Sequence, residues 1–150
     1  MDSLDDEYNN VHIVRARGKY PLASLCKIMN QFGVNYSVLH DSDTRLNKNG
    51  ENNGAWTANE RILAAVQNRP NGAKVRLVAS IHNFEEAYFG TNVSSDKPYN
   101  AVEMIKGDEA AKEKIRKLLI ALVNHQEPLP DGAVEWSDQA QLEEAVPEHT

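Results

Sequence analysis

The stretch YSVLHDSDTRLNKNGENNGAW, residues 36–56, passes from strand-forming residues into a long polar loop, with Asp41 and Asp43 at the junction. Upstream of it, PLASLCKIMNQF (21–32) places Leu22, Leu25, Met29 and Phe32 at helical spacing. Pro21 suits the first turn of that helix and Gly33 its C-terminal stop. Before it, VHIVRA (11–16) alternates apolar and polar positions, which predicts a strand. A strand over 11–16, a helix over 21–32 and a strand over 34–40 form a strand–helix–strand unit, with a connection long enough for a parallel crossover.

Downstream, TANERILAAVQN (57–68) predicts a helix capped by Thr57, with Glu60 completing a capping box. KVRLVASI (74–81) predicts a third strand, and a helical region spans about 98–124 with a break near Gly107. This alternation predicts an α/β domain, Rossmann-like, with a mostly parallel sheet flanked by helices. From Glu127 onward, Pro128, Pro130, Gly132 and Pro147 punctuate a polar segment. The predicted organisation is an acidic N-terminal segment (1–10), a domain (11–126) and a polar, flexible tail (127–150).

Composition narrows the function classes. A 150-residue chain with 41% hydrophobic residues suits one domain with a real core. No apolar run approaches the ~20 residues of a membrane span, and the acidic start MDSLDDEYNN resembles neither a signal nor a transit peptide. A cytoplasmic protein without membrane contact is expected. Cys26 is the only cysteine, so an internal disulfide and a cysteine-rich zinc site are excluded. The net charge of −6 is concentrated at the ends, with four acids in residues 1–10 and six in residues 131–150. Between Val11 and Pro130, 12 acids face 16 bases, so the body is mildly basic and can meet a phosphate backbone locally.

In an open parallel sheet, functional groups collect at the carboxyl ends of strands, where Asp41 and Asp43 fall. In an extended segment their spacing points both side chains to one side. Two carboxylates so close repel unless a cation holds them, most often Mg²⁺ among oxygen-ligated ions. The alternative is a polar turn leaving a strand. Haloacid-dehalogenase-like phosphatases carry D-x-D after a strand with Thr or Val two residues further on; here Arg45 stands in that place. A 150-residue chain leaves little room for a metal-dependent glycosyltransferase fold.

The order of elements carries a more specific resemblance. A strand, Gly18-Lys19, a helix ending in FGV, a strand closed by LHDSD, an asparagine-rich loop and a helix with NERI follow one another over residues 11–66. HNFEEAYFG (82–90) and SSDKPYNAVEMI (94–105) continue the series. Together they resemble the Toprim domain of OLD-family (overcoming lysogenization defect) ATP-dependent endonucleases, in which an ATPase domain lies upstream in the same chain.

The resemblance implies a Toprim-like fold and metal-dependent phosphodiester hydrolysis of DNA, with Mg²⁺ or Mn²⁺, two ions in a complete site. It leaves room for a homodimer. On this reading Asp41 and Asp43 are metal ligands, Glu85 or Glu86 is the further acid, and Lys97 contacts the scissile phosphate. Lys19 could also meet a phosphate, beside the permissive backbone of Gly18. The family's Glu-Gly-x-x-Glu motif, borne on its first strand, is missing; Glu7 follows no strand and does not replace it. The chain therefore reads as an incomplete nuclease domain, or as a non-catalytic binding or regulatory module. His40 alternates to the face opposite Asp41, Cys26 lies on an apolar helix face, and Trp56 is expected to pin the loop.

Overall fold

A computed structural model describes residues 10–90 and 106–148. Helix α1 (Lys19–Phe32) ends at Gly33, which takes φ 63° and donates its N–H to Asn30 O, the left-handed stop that glycine adopts without strain. Strand β1 (Tyr36–Asp41) follows directly. The polar loop then leads to helix α2 (Gly54–Gln67), capped by Asn53, whose side chain accepts from Ala55 N. The helix thus begins three residues ahead of the predicted Thr57 cap, because the asparagine of the loop supplies the oxygen that the first turn needs.

Strand β2 (Val75–Ser80) is followed by the short helix α3 (Phe84–Phe89). Helix α4 (Glu109–Val123) is capped by Asp108, next to the predicted break at Gly107. Strand β3 (Ala133–Glu135) and helix α5 (Gln139–Ala145) complete the described elements. None of the described helices is long and apolar enough to cross a membrane.

Among the described residues the sheet has three strands in the order β1-β2-β3. β1 and β2 run parallel, Tyr36 opposite Val75 through Asp41 opposite Ser80. β3 is antiparallel to β2, with Ser80 opposite Ala133. The predicted α/β class with helices on the sheet stands, but the mostly parallel sheet gives way to a mixed one. The predicted strand 11–16 is not a strand. The segment pairs with no described strand, and Ile13 and Val14 lie exposed.

Alternation along the strands sends side chains into two cores. Val38, Leu77 and Ala79 meet Cys26 of α1 and Trp56, Ile62 and Val66 of α2. Trp136, Leu142 and Val146 belong to the same cluster. On the opposite face Val78 packs with Ala87, Tyr88 and Leu118, and Leu39 joins them. The segment expected as a flexible tail therefore contributes a strand, a helix and three buried core residues. Its many polar residues hide a sparse apolar set that needs a neighbour to bury against. Gly132 makes the return possible: its φ is 92°, and a Cβ there would lie 2.5 Å from Ala87 O.

Leu142 is fully buried. Leu142→Ala is expected to cost about 2–5 kcal/mol of unfolding free energy, the range for a buried leucine truncated in a packed core. Urea denaturation followed by tryptophan fluorescence measures it. A loss below about 1 kcal/mol would show that α5 is peripheral to folding.

Candidate functional site

The site is built where β1 ends. The extended backbone stops at Asp41; Ser42 is fully buried and donates its N–H to Ser80 O at 2.9 Å. Asp43 takes φ 59°, a left-handed conformation that aspartate tolerates better than most side chains. Its N–H donates to His82 O at 2.8 Å. This turn breaks the alternation that would have set both carboxylates on one side.

The two carboxylates take different partners. Asp41 Oδ1 accepts from Phe84 N at 2.9 Å, at the start of α3. Asp43 Oδ2 lies 2.5 Å from Lys19 Nζ at the start of α1. The same ammonium donates to Asn59 Oδ1 at 2.7 Å and to Ala55 O at 2.8 Å, both on α2, and reaches Ser42 O at 3.4 Å. Asn59 is fully buried and its Nδ2 donates to Ser42 O at 2.8 Å. The Lys19 side chain is 13% exposed. Burial pulls its pKa below the ordinary lysine value, while Asp43 and Asp41 push it back up.

Glu85 and Glu86 occupy the first turn of α3, just beyond β2. Glu85 is buried, and Glu86 Oε2 lies 3.0 Å from His82 Nδ1. The second ring nitrogen of His82 meets Pro147 O at 2.7 Å, while Arg45 Nε pairs with Glu148 Oε1 at 2.6 Å. These two contacts tie the loops of the site to the segment after α5. Lys97 lies outside the described residues.

Among the described residues, no three His, Cys, Asp or Glu side chains converge as a metal-holding group. Neither Glu85 nor Glu86 therefore completes such a group with Asp41 and Asp43. With Asp43 paired to an ammonium and Asp41 accepting from a helix N-terminus, the described residues supply two carboxylates of a divalent metal centre and fall short of a complete one.

Sequence reasoning set Asp41 and Asp43 at the end of the strand and offered Lys19 to a phosphate, but did not join the three and missed Asn59. Its signal was present. Asn59 stands three residues before Ile62 and seven before Val66 on the buried stripe of α2, and an amide there needs a polar partner.

His40, as alternation required, turns to the face opposite Asp41, into the larger core beside Trp136. Its Nδ1–H donates to Asp41 O at 2.8 Å, and Nε2 accepts from Trp136 Nε1 at 3.1 Å. A ring that accepts at Nε2 is neutral. Burial pulls its pKa from 6.5 down to about 4, with Lys19 adding to the effect and the Asp41 carbonyl opposing it.

Residues 1–43 match the family model described as Overcoming lysogenization defect protein-like, TOPRIM domain, a match that ends on the second aspartate of the pair. The resemblance read from the sequence is borne out over that stretch. No curated protein and no solved structure matches the chain.

His40 gives the fold a pH dependence of known sign. The unfolded chain takes up its proton near pH 6.5 and the folded one only near pH 4, so stability is lost as pH falls through that window. The contribution is roughly 3 kcal/mol. Urea denaturation of the wild type and His40→Gln from pH 7.5 to 4.5 checks it: the variant should show the flatter dependence, and equal slopes would refute the assignment.

Proposed function

We propose that this chain is part of a Toprim-type DNA-cleaving module and carries half of its cleavage centre. One observation bears most of the weight: Asp41 and Asp43 sit at the carboxyl end of a strand in a parallel pair, where the family match also ends. Asp41 and Asp43 are the residues that would hold Mg²⁺ or Mn²⁺, and such an ion supplies Lewis-acid chemistry at a phosphodiester when bound. Glu85 or Glu86, in the first turn of α3, is the proposed further acid, and Lys97 is the residue proposed to meet the scissile phosphate. DNA is the proposed substrate, and an ATPase domain is the proposed partner.

The half-site reading follows from charge. Two carboxylates leave most of an octahedral shell to water, so they hold a divalent ion weakly. Here one of the two is already neutralised by Lys19. That ion pair also favours a second reading, a non-catalytic binding or regulatory module in which the carboxylates serve the fold.

A plasmid-nicking assay in Mg²⁺, Mn²⁺ and EDTA separates the two. The chain alone should cut no faster with metal than with EDTA. Joined to an upstream strand bearing Glu-Gly-x-x-Glu, it should regain metal-dependent nicking by roughly 10²-fold or more, the scale on which single stabilising groups act. Asp43→Ala should remove that gain. Brisk cleavage by the chain alone would overturn the half-site argument, and a silent extended form would establish the non-catalytic reading.

A further inference from the structure

We propose that Lys19 is the resident counter-cation of the aspartate pair, and that it competes with divalent cations for Asp43. Four oxygens surround its Nζ: Asp43 Oδ2 at 2.5 Å, Asn59 Oδ1 at 2.7 Å, Ala55 O at 2.8 Å and Ser42 O at 3.4 Å. They comprise one carboxylate, one side-chain amide and two backbone carbonyls. Hard divalent cations choose the same set of donors. An ammonium has three protons to give, and here three close oxygens receive them.

The cage is held from outside the lysine. Asn59 is fixed by donating to Ser42 O at 2.8 Å, and the backbone of Asp43 by donating its N–H to His82 O. The Asn59 amide and the two backbone carbonyls therefore stay convergent when the ammonium leaves, with the Asp43 carboxylate carried beside them on a fixed backbone. An ammonium and a metal ion repel each other too strongly to share one carboxylate oxygen at these distances, so binding of one requires departure of the other. Lys19 is the first residue of α1 and follows Gly18, where φ is 108°, so the side chain enters the cage from a turn at the helix start.

The inference concerns cation exchange and needs no cleavage of DNA, so a failed nicking assay leaves it standing. Its test uses the whole chain and Mn²⁺ as the probe. Free Mn²⁺ measured by electron paramagnetic resonance should show weak binding to the wild type. Binding to Lys19→Met, which keeps an apolar stem of similar length, should be roughly tenfold tighter or more. Adding Asp43→Asn to that variant should abolish the gain. A lysine with only a structural role predicts the reverse, affinity unchanged or lowered.

A second arm needs no variant. Acetylation of Lys19 in the wild type, followed by peptide mass spectrometry, should be slow without metal and accelerate in millimolar Mn²⁺. Exposed Lys112 should not change. A folded Lys19→Met that binds Mn²⁺ no better than the wild type overturns the proposal. So does Mn²⁺ bound by the wild type with Lys19 acetylation unmoved, or the absence of Mn²⁺ binding by both proteins. Should Lys19→Met fail to fold, the acetylation arm decides.

Discussion

An ammonium withdrawn from water needs oxygen around it, and that requirement organises the top of this domain. Lys19 finds its oxygens on the turn after β1 and on the first turns of α2. The start of α1, the end of β1 and the start of α2 are thereby drawn to one point. Such a network depends on completeness: an isolated buried charge costs several kcal/mol, whereas the satisfied set is tolerated. Removing one acceptor is therefore worse than the value of a single hydrogen bond suggests.

The end of β1 is also fastened on both faces of the sheet. Asp41 turns to the amide at the start of α3, and His40, one residue earlier, turns to Trp136. The carboxylates do not sit on a loose loop. Their positions are set by one strand register, two helix starts and a buried imidazole.

Much of this was legible in the sequence, for identifiable reasons. Pro21 and Gly33 framed α1, and the Val-rich runs of β1 and β2 were strong enough to stand alone. His40 and Cys26 fell on the expected faces because alternation and helical period are properties of the local chain. The unread parts were those that depend on partners distant in sequence. VHIVRA has a strand's pattern but no neighbouring strand among the described residues, and propensity without a partner forms no sheet. The segment after Glu127 was misjudged because Trp136, Leu142 and Val146 are diluted among charges, and only the core they meet gives them meaning. The role of Lys19 was half visible: it was read as a cation for a phosphate, but neither its pairing with Asp43 nor its acceptors on α2 were read.

The membership of the larger core has a temporal consequence. Ala23 and Cys26 of α1 share it with Trp136, Leu142 and Val146, far downstream in the sequence. Contacts so far apart in sequence carry a loop-closure entropy that local helices escape, and chains dominated by them fold slowly. A polypeptide is made from its amino end. While it emerges, α1, β1, α2 and β2 can form, but they leave an apolar face open until α5 has been synthesised. The domain closes only once α5 is available, and until then that face is what a chaperone or an aggregating neighbour would meet.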